Sequence, residues 1–348
     1  METELSYFLG IDYPTWWFLI VGGVFAGYAI LDGFDLGAGS IHLFLKKEQS
    51  RRIALNAIGP VWDGNEVWLV IAGGALFAGF PVAYASLFSA FYIPFMLFLV
   101  LLIFRAIAIE FRSKEDMKWW RNFWDRAYFV ASNSLSLLLG VVVGNLMIGL
   151  PIDERGNLVG SWLQLLNPYA LLMGFTILAL FVMHGIIYLL LKTEGRLYAK
   201  LRILLNRAVI LFIIAFTAAS AYGLYAYPKL SDDLQNSLSF WILPSLGILS
   251  ILSIPQWIKR RKFRIAFVSS ALAIALMLGV LAFELYPVLL YSTLDPAYHI
   301  DIYSAASSQK SLGIMLLIAA IGTPLILGYT AFVFYTFRGK VRLDENSY

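Results

Sequence analysis

Nine stretches of mainly apolar residues divide this chain, each long enough to cross the ~30 Å hydrocarbon of a bilayer as a helix. They run Trp16–Phe44, Ala54–Gly79, Val82–Ile109, Ala127–Leu150, Tyr169–Leu191, Ala208–Tyr227, Leu238–Trp257, Ile265–Leu290 and Leu312–Phe337. In hydrocarbon every backbone polar group must bond within the protein, so the expected fold is an all-α polytopic membrane bundle. Only 14% of the residues are charged, against roughly 25% in soluble domains. No connection is long enough to house a separate soluble enzyme.

The connections set the orientation. If Lys46, Lys47, Arg51 and Arg52 lie inside, 23 of the 26 Lys and Arg fall on that side, and only Arg155, Lys229 and Lys310 fall outside. That asymmetry predicts an outside N-terminus and a cytoplasmic C-terminus. The same tally removes nucleic acid as a partner, because the net charge of +4 comes from topogenic loops that meet lipid headgroups. Met1–Tyr13 carries Glu2, Glu4 and Asp12 and no basic residue, so the first span is expected to be a retained helix rather than a cleaved leader. The chain has no Cys, which excludes disulfides, thiolate zinc sites and iron–sulfur clusters within it.

Against this background four acids stand out. Asp32 and Asp35 lie in span one, and Asp63 and Glu66 in span two, each pair three residues apart and so on one side of a helix. A carboxylate at mid-membrane costs about 2.5–3.5 kcal/mol on insertion scales, so such groups face protein or a water-filled path. Counted from the inner ends at about 1.5 Å per residue, Asp32 lies ~20 Å deep, Asp35 ~15 Å, Asp63 ~16 Å and Glu66 ~21 Å. Pro60 qualifies this, since it can start a new helix with Asp63 in its first turn. Two readings stand side by side: a proton path open to the cytoplasm, or helix–helix hydrogen bonds and capping. Arg105 and Glu110, at the inner end of span three, read as a paired interfacial couple. Glu284 is near headgroup water.

Of the three histidines, His42 follows span one, His184 lies inside span five and His299 is in the last outer loop. His184 is either an axial haem ligand or a hydrogen-bonded core residue. No clustered ligand set predicts a buried metal, and no cofactor is expected on this chain alone. Trp62 and Trp68 either pack between helices or line a quinone pocket or dioxygen route. Lys114–Arg126, with Trp119, Trp120 and Trp124, reads as an interfacial helix leading into span four. Gly23/Gly27, Gly33/Gly37 and Gly140/Gly144 are small-residue pairs suited to close helix packing. Asp32-Gly33 in span one and His184-Gly185 in span five hint at a repeat four spans apart.

Several segments resemble subunit II of the cytochrome bd quinol oxidases: Asp32-Gly33-Phe34-Asp35-Leu36-Gly37, the run Asn56 to Leu69 with Pro60-Val61-Trp62-Asp63-Gly64-Asn65-Glu66-Val67-Trp68, and Gly73-Gly74-Ala75-Leu76-Phe77. Phe111-Arg112-Ser113-Lys114, Trp120-Arg121-Asn122-Phe123-Trp124-Asp125, Gly144-Asn145, Leu166-Asn167-Pro168 and Ser307-Ser308-Gln309 extend the likeness over nearly the whole chain. The resemblance implies two four-helix bundles plus a peripheral helix, here residues 1–150, 151–311 and 312–348. It implies a heterodimer with a haem-bearing subunit I that holds two b-type haems, one d-type haem and the quinol loop. It also implies quinol oxidation coupled to reduction of dioxygen to water in a bacterial or archaeal plasma membrane. The implied proton route runs along Asp35 and Asp63 with Glu110 near the inner surface, and the Trp68 indole is associated with dioxygen entry. Small single-helix accessory subunits and a structural quinone are compatible with it. Ser304 stands where many relatives carry an acid or amide. A secondary transporter, or a purely structural partner in which the acids only pack, are the competing classes.

Overall fold

The computed structural model describes residues 5–227 and 241–343. A short antiparallel pair, β1 (Tyr7–Phe8) and β2 (Ile11–Asp12), delivers the chain into α1 (Tyr13–Ser40). Asp12 caps that helix, its carboxylate accepting the Thr15 N–H at 2.8 Å, with Pro14 in the first turn where its missing N–H costs nothing. Ten more helices follow among the described residues, and the expected spans two and three are each broken in two.

Span two becomes α2 (Glu48–Ile58) and α3 (Trp62–Gly79), separated by Gly59-Pro60-Val61. Pro60 has no N–H to return to the Asn56 carbonyl and its ring crowds that turn, so the helix stops and restarts. Asp63 consequently sits in the first turn of α3. Span three becomes α4 (Pro81–Ala90) and α5 (Tyr92–Phe111). The break precedes Pro94, which likewise has no N–H for the Ala90 carbonyl. The expected interfacial helix is not separate: α6 (Lys118–Ile148) is one helix of 31 residues that starts among those tryptophans and enters the bundle. At 1.5 Å per residue it is about 46 Å long and projects beyond the hydrocarbon.

α7 (Pro168–Lys192) is capped by Asn167, whose side-chain oxygen accepts the Ala170 N–H at 2.8 Å. α8 (Gly195–Ala226), α9 (Ile242–Lys259), α10 (Phe263–Leu285) and α11 (Gln309–Thr336) complete the set. Span eight ends at Leu285 rather than Leu290, because Val288–Leu290 forms β3, paired with β4 (Ile300–Asp301). Ser304 belongs to that hairpin's end, its N–H bonded to the Asp301 carboxylate at 2.8 Å. The start of span seven and the outer connection 228–237 lie outside the described residues. Eight described helices are long and apolar enough to cross a membrane. The broken second span is not among them, since Asp63, Asn65 and Glu66 make the first half of α3 polar.

α1 runs through the middle, packed on α3, α6, α7 and α10. Its tightest neighbour is α7. A Cβ at Gly37 would run into the Phe181 carbonyl, and one at Gly185 would lie 2.6 Å from the Ala38 nitrogen. Gly140 and Gly144 serve the α6–α7 contact in the same way, against Gly174 and Ala170. The expected Gly23/Gly27 pair is only half used: Gly27 lies under the Trp68 ring, whereas Gly23 faces open space. Because the Gly37 contact is backbone on backbone, no rotamer change relieves it. Gly37→Ala is therefore expected to cost about 1–3 kcal/mol, read as a lower thermal midpoint of the purified complex. Gly23→Ala is the matched substitution expected to leave that midpoint unchanged.

Candidate functional site

The intramembrane acids come together around one guanidinium. Arg105, fully buried on α5, makes a two-pronged pair with Asp32 of α1, Nη1 donating to Oδ2 at 2.7 Å and Nη2 to Oδ1. The same Nη2 lies 3.4 Å from Glu66 Oε2 on α3. Arg105 is thus no interfacial ion coupled to Glu110. Its partner is 73 residues away, because the α5 face that carries it turns into the bundle. Glu110 stands at the end of α5, half-buried and two residues before Arg112.

Asp35, 1% exposed, has no arginine of its own. One oxygen accepts the Asn65 side-chain N–H at 2.7 Å, while Oδ1 has no partner among the described residues. The Tyr128 hydroxyl donates to the Asp35 backbone carbonyl at 3.3 Å. Three carboxylates (Asp32, Asp35 and Glu66) thus share one cation, and Asp32 takes most of it. Asp63 lies outside this cluster on the outward face of α3, with Val67 and Val70 exposed beside it and nothing within 4 Å of a Cβ at Gly64, Gly73 or Gly74. Trp62 is buried in the core and Trp68 is half-buried over Gly27.

A second charged cluster closes the basic end of the bundle, about 10 Å along α1 from Asp35 at 1.5 Å per residue. Its centre is Asp125 of α6, 1% exposed. Asp125 accepts Arg112 Nε at 2.5 Å and Arg51 Nη1 at 2.7 Å, and meets His42 Nε2 at 2.5 Å. Arg112 also donates to Glu48 at 2.8 Å. The His42 ring stands edge-on to Tyr128 at 5.2 Å, so Tyr128 touches both clusters. Ser40 and Ser132 lie buried between them, their hydroxyls without a partner among the described residues.

Sequence reasoning found Asp32, Asp35, Asp63 and Glu66 but missed Asn65, Arg112 and Asp125 as a working set. Asp125 falls in a Trp-rich charged run that reads as solvated surface, and its three partners sit on other segments. The one signal was that His42, Arg51 and Arg112 all fall in connections on a single membrane face.

The histidines do not fit a haem. His184 Nδ1 is 2.7 Å from Ser270 Oγ and Nε2 is 3.0 Å from the Ile30 carbonyl, so both nitrogens are engaged. His299 Nδ1 accepts the Ser292 N–H at 3.0 Å, and His42 is held by Asp125. Among the described residues no group of three or more His, Asp or Glu is placed to hold a metal ion.

Fold and site together define a polytopic membrane protein with two buried clusters of charged side chains and, among the described residues, no ligand set for a metal. The family model for cytochrome bd terminal oxidase subunit II matches residues 13–337. Cytochrome bd-I ubiquinol oxidase subunit 2 of Escherichia coli (strain K12) is 33% identical over 370 residues, covering 96% of this chain and 97% of the relative. Cytochrome bd ubiquinol oxidase subunit 2 of Bacillus subtilis (strain 168) is 33% identical over 333 residues, covering 94% and 97%. A chain of the bd oxidase structure from Geobacillus thermodenitrificans superposes with a TM-score of 0.79 at 18% identity, over 93% of this chain and 98% of that one. The chain belongs to the cytochrome bd terminal oxidase subunit II family. It is a multi-pass plasma-membrane subunit of a haem-bearing quinol oxidase.

Proposed function

We propose that this subunit stabilises the haem-bearing subunit I and conducts cytoplasmic protons toward the site where that partner reduces dioxygen. The N-terminus is outside and the C-terminus cytoplasmic, with residues 1–150 and 151–311 as the two four-helix units and 312–348 as the peripheral segment. Two b-type haems and one d-type haem, with the quinol, belong to subunit I. Haem supplies the redox chemistry; the residues of this chain hold and move protons.

The observation that carries this reading is the succession of polar side chains inside the bundle. They run from Arg51, Asp125 and His42 at the basic end, past Tyr128, Ser40 and Ser132, to Asp35, Asn65, Asp32, Arg105 and Glu66. Asp35, bonded to an amide and with one oxygen free, is the carboxyl best suited to take up and release a proton. Asp63, one turn from Glu66, then presents its carboxylate on an α3 face that the described residues leave open. A carboxylate facing lipid would cost about 2.5–3.5 kcal/mol, so that face is where subunit I docks and where protons leave.

In the complete complex, Asp35→Asn is expected to lower quinol-driven oxygen consumption on the order of 10²-fold, the usual loss when a positioned proton carrier is removed. The haem spectrum and subunit ratio should stay unchanged, because an amide keeps the bond to Asn65. Asp63→Asn is expected to slow turnover in the same manner. Wild-type turnover in both variants would remove the acids from the path.

A further inference from the structure

We propose that the basic end of the second helical unit carries a binding pocket for the phosphodiester headgroup of an anionic phospholipid. A cavity of about 570 Å³ opens between the end of α7, the start of α8, the α9–α10 connection and the C-terminal segment. Arg261, Lys262, Arg264 and Lys340 supply cationic lining, and Leu190, Leu191, Phe263 and Ile265 supply an apolar floor. Tyr198 joins it to a second cavity of about 360 Å³ beside Arg202. Arg202, Arg261, Lys262 and Arg264 have no ion pair with a described acid, although other cations of this membrane face are held by Glu48, Asp116 and Asp125.

The backbone adds two features. The first-turn residues Phe263, Arg264 and Ile265 of α10 line the cavity, and its cap residue Lys262 makes no side-chain capping bond, so the positive end of the helix lies beside the same space. Arg261 holds φ at +56°, closing α9 with its N–H on the Ile258 carbonyl at 3.0 Å and the Lys262 N–H on the Trp257 carbonyl at 3.0 Å. Glycine is the ordinary residue for that conformation, so an arginine there keeps a guanidinium at the cavity mouth at a conformational cost. Lys262 Nζ sits 5.9 Å over the Trp257 ring, an amphipathic pair of the kind found at headgroup level.

Phosphate chemistry alone fits a free anion as well. The leucine and isoleucine floor and the position at the end of membrane helices select the lipid, whose acyl chains continue along α7 and α10. Acidic headgroups gain roughly tenfold or less in affinity per basic side chain near the membrane surface.

The test uses the purified, delipidated complex titrated with phosphatidylglycerol in mixed micelles, with retained lipid counted by native mass spectrometry. Saturable binding is expected, weakened about thirty-fold in the Arg261→Gln/Arg264→Gln double variant and largely kept in Arg261→Lys/Arg264→Lys. An unchanged haem spectrum in both variants shows that they assemble. Equal retention of phosphatidylcholine, or an unaltered affinity in the glutamine variant, overturns the proposal. Displacement of phosphatidylglycerol by millimolar inorganic phosphate assigns the pocket to a free anion and overturns it as a lipid site.

Discussion

Replacing Arg105 by leucine is expected to destabilise the subunit by about 3–5 kcal/mol, because it strands the Asp32 carboxylate in a buried helix interface. The side chain of Asp32 is fully buried and its described cationic partner is that one guanidinium, so no rearranged cation compensates. Glu66 loses the same partner, 3.4 Å away. The companion experiment sharpens the cause. A buried ion pair replaced on both sides by apolar residues of similar volume is often neutral or even stabilising. Arg105→Leu/Asp32→Leu is therefore expected to recover most of the thermal midpoint lost in Arg105→Leu alone. A single variant within about 1 kcal/mol of wild type would mean that Asp32 finds another partner or a proton.

Asp125→Leu is expected to have an effect of similar size, about 3–5 kcal/mol, by the same physics with the signs exchanged. It leaves Arg112, 1% exposed, with Glu48 as its remaining acid, and it releases Arg51 and His42 together. The loss should be local before it is global. Hydrogen exchange is expected to rise first in α2 and in residues 42–52, which Asp125 ties to α6, while α9 and α10 keep their protection. Uniform acceleration over the whole chain would show instead that the cluster is not a separate unit of stability.

Much of this architecture is legible in the sequence, for identifiable reasons. Hydrophobic length marks the crossings because hydrocarbon permits no unsatisfied backbone, and the same rule makes four carboxylates conspicuous. What length cannot convey is interruption. Pro60 and Pro94 each remove a single hydrogen bond, which leaves the apolar pattern intact while ending the helix. Nor can helical periodicity name a partner across the bundle. Arg105 and Glu110 are neighbours in the chain and read as a couple, yet the arginine turns to an acid of the first helix. Asp125 was the deepest miss, since its carboxylate is buried only by groups supplied from three separate segments.

The crossing of α1 and α7 bears on how the two halves of the chain can behave. Transporters built from repeats work by letting one repeat rock against the other, which requires a seam that opens. Here the corresponding helices meet glycine to backbone at Gly37 and Gly185, and the His184 ring reaches across to the Ile30 carbonyl at 3.0 Å. Parting them would break a buried hydrogen bond and open a void where no side chain exists to fill it. The halves are tied together at their centre, so the proposed proton traffic, handed between side chains, asks no seam to open.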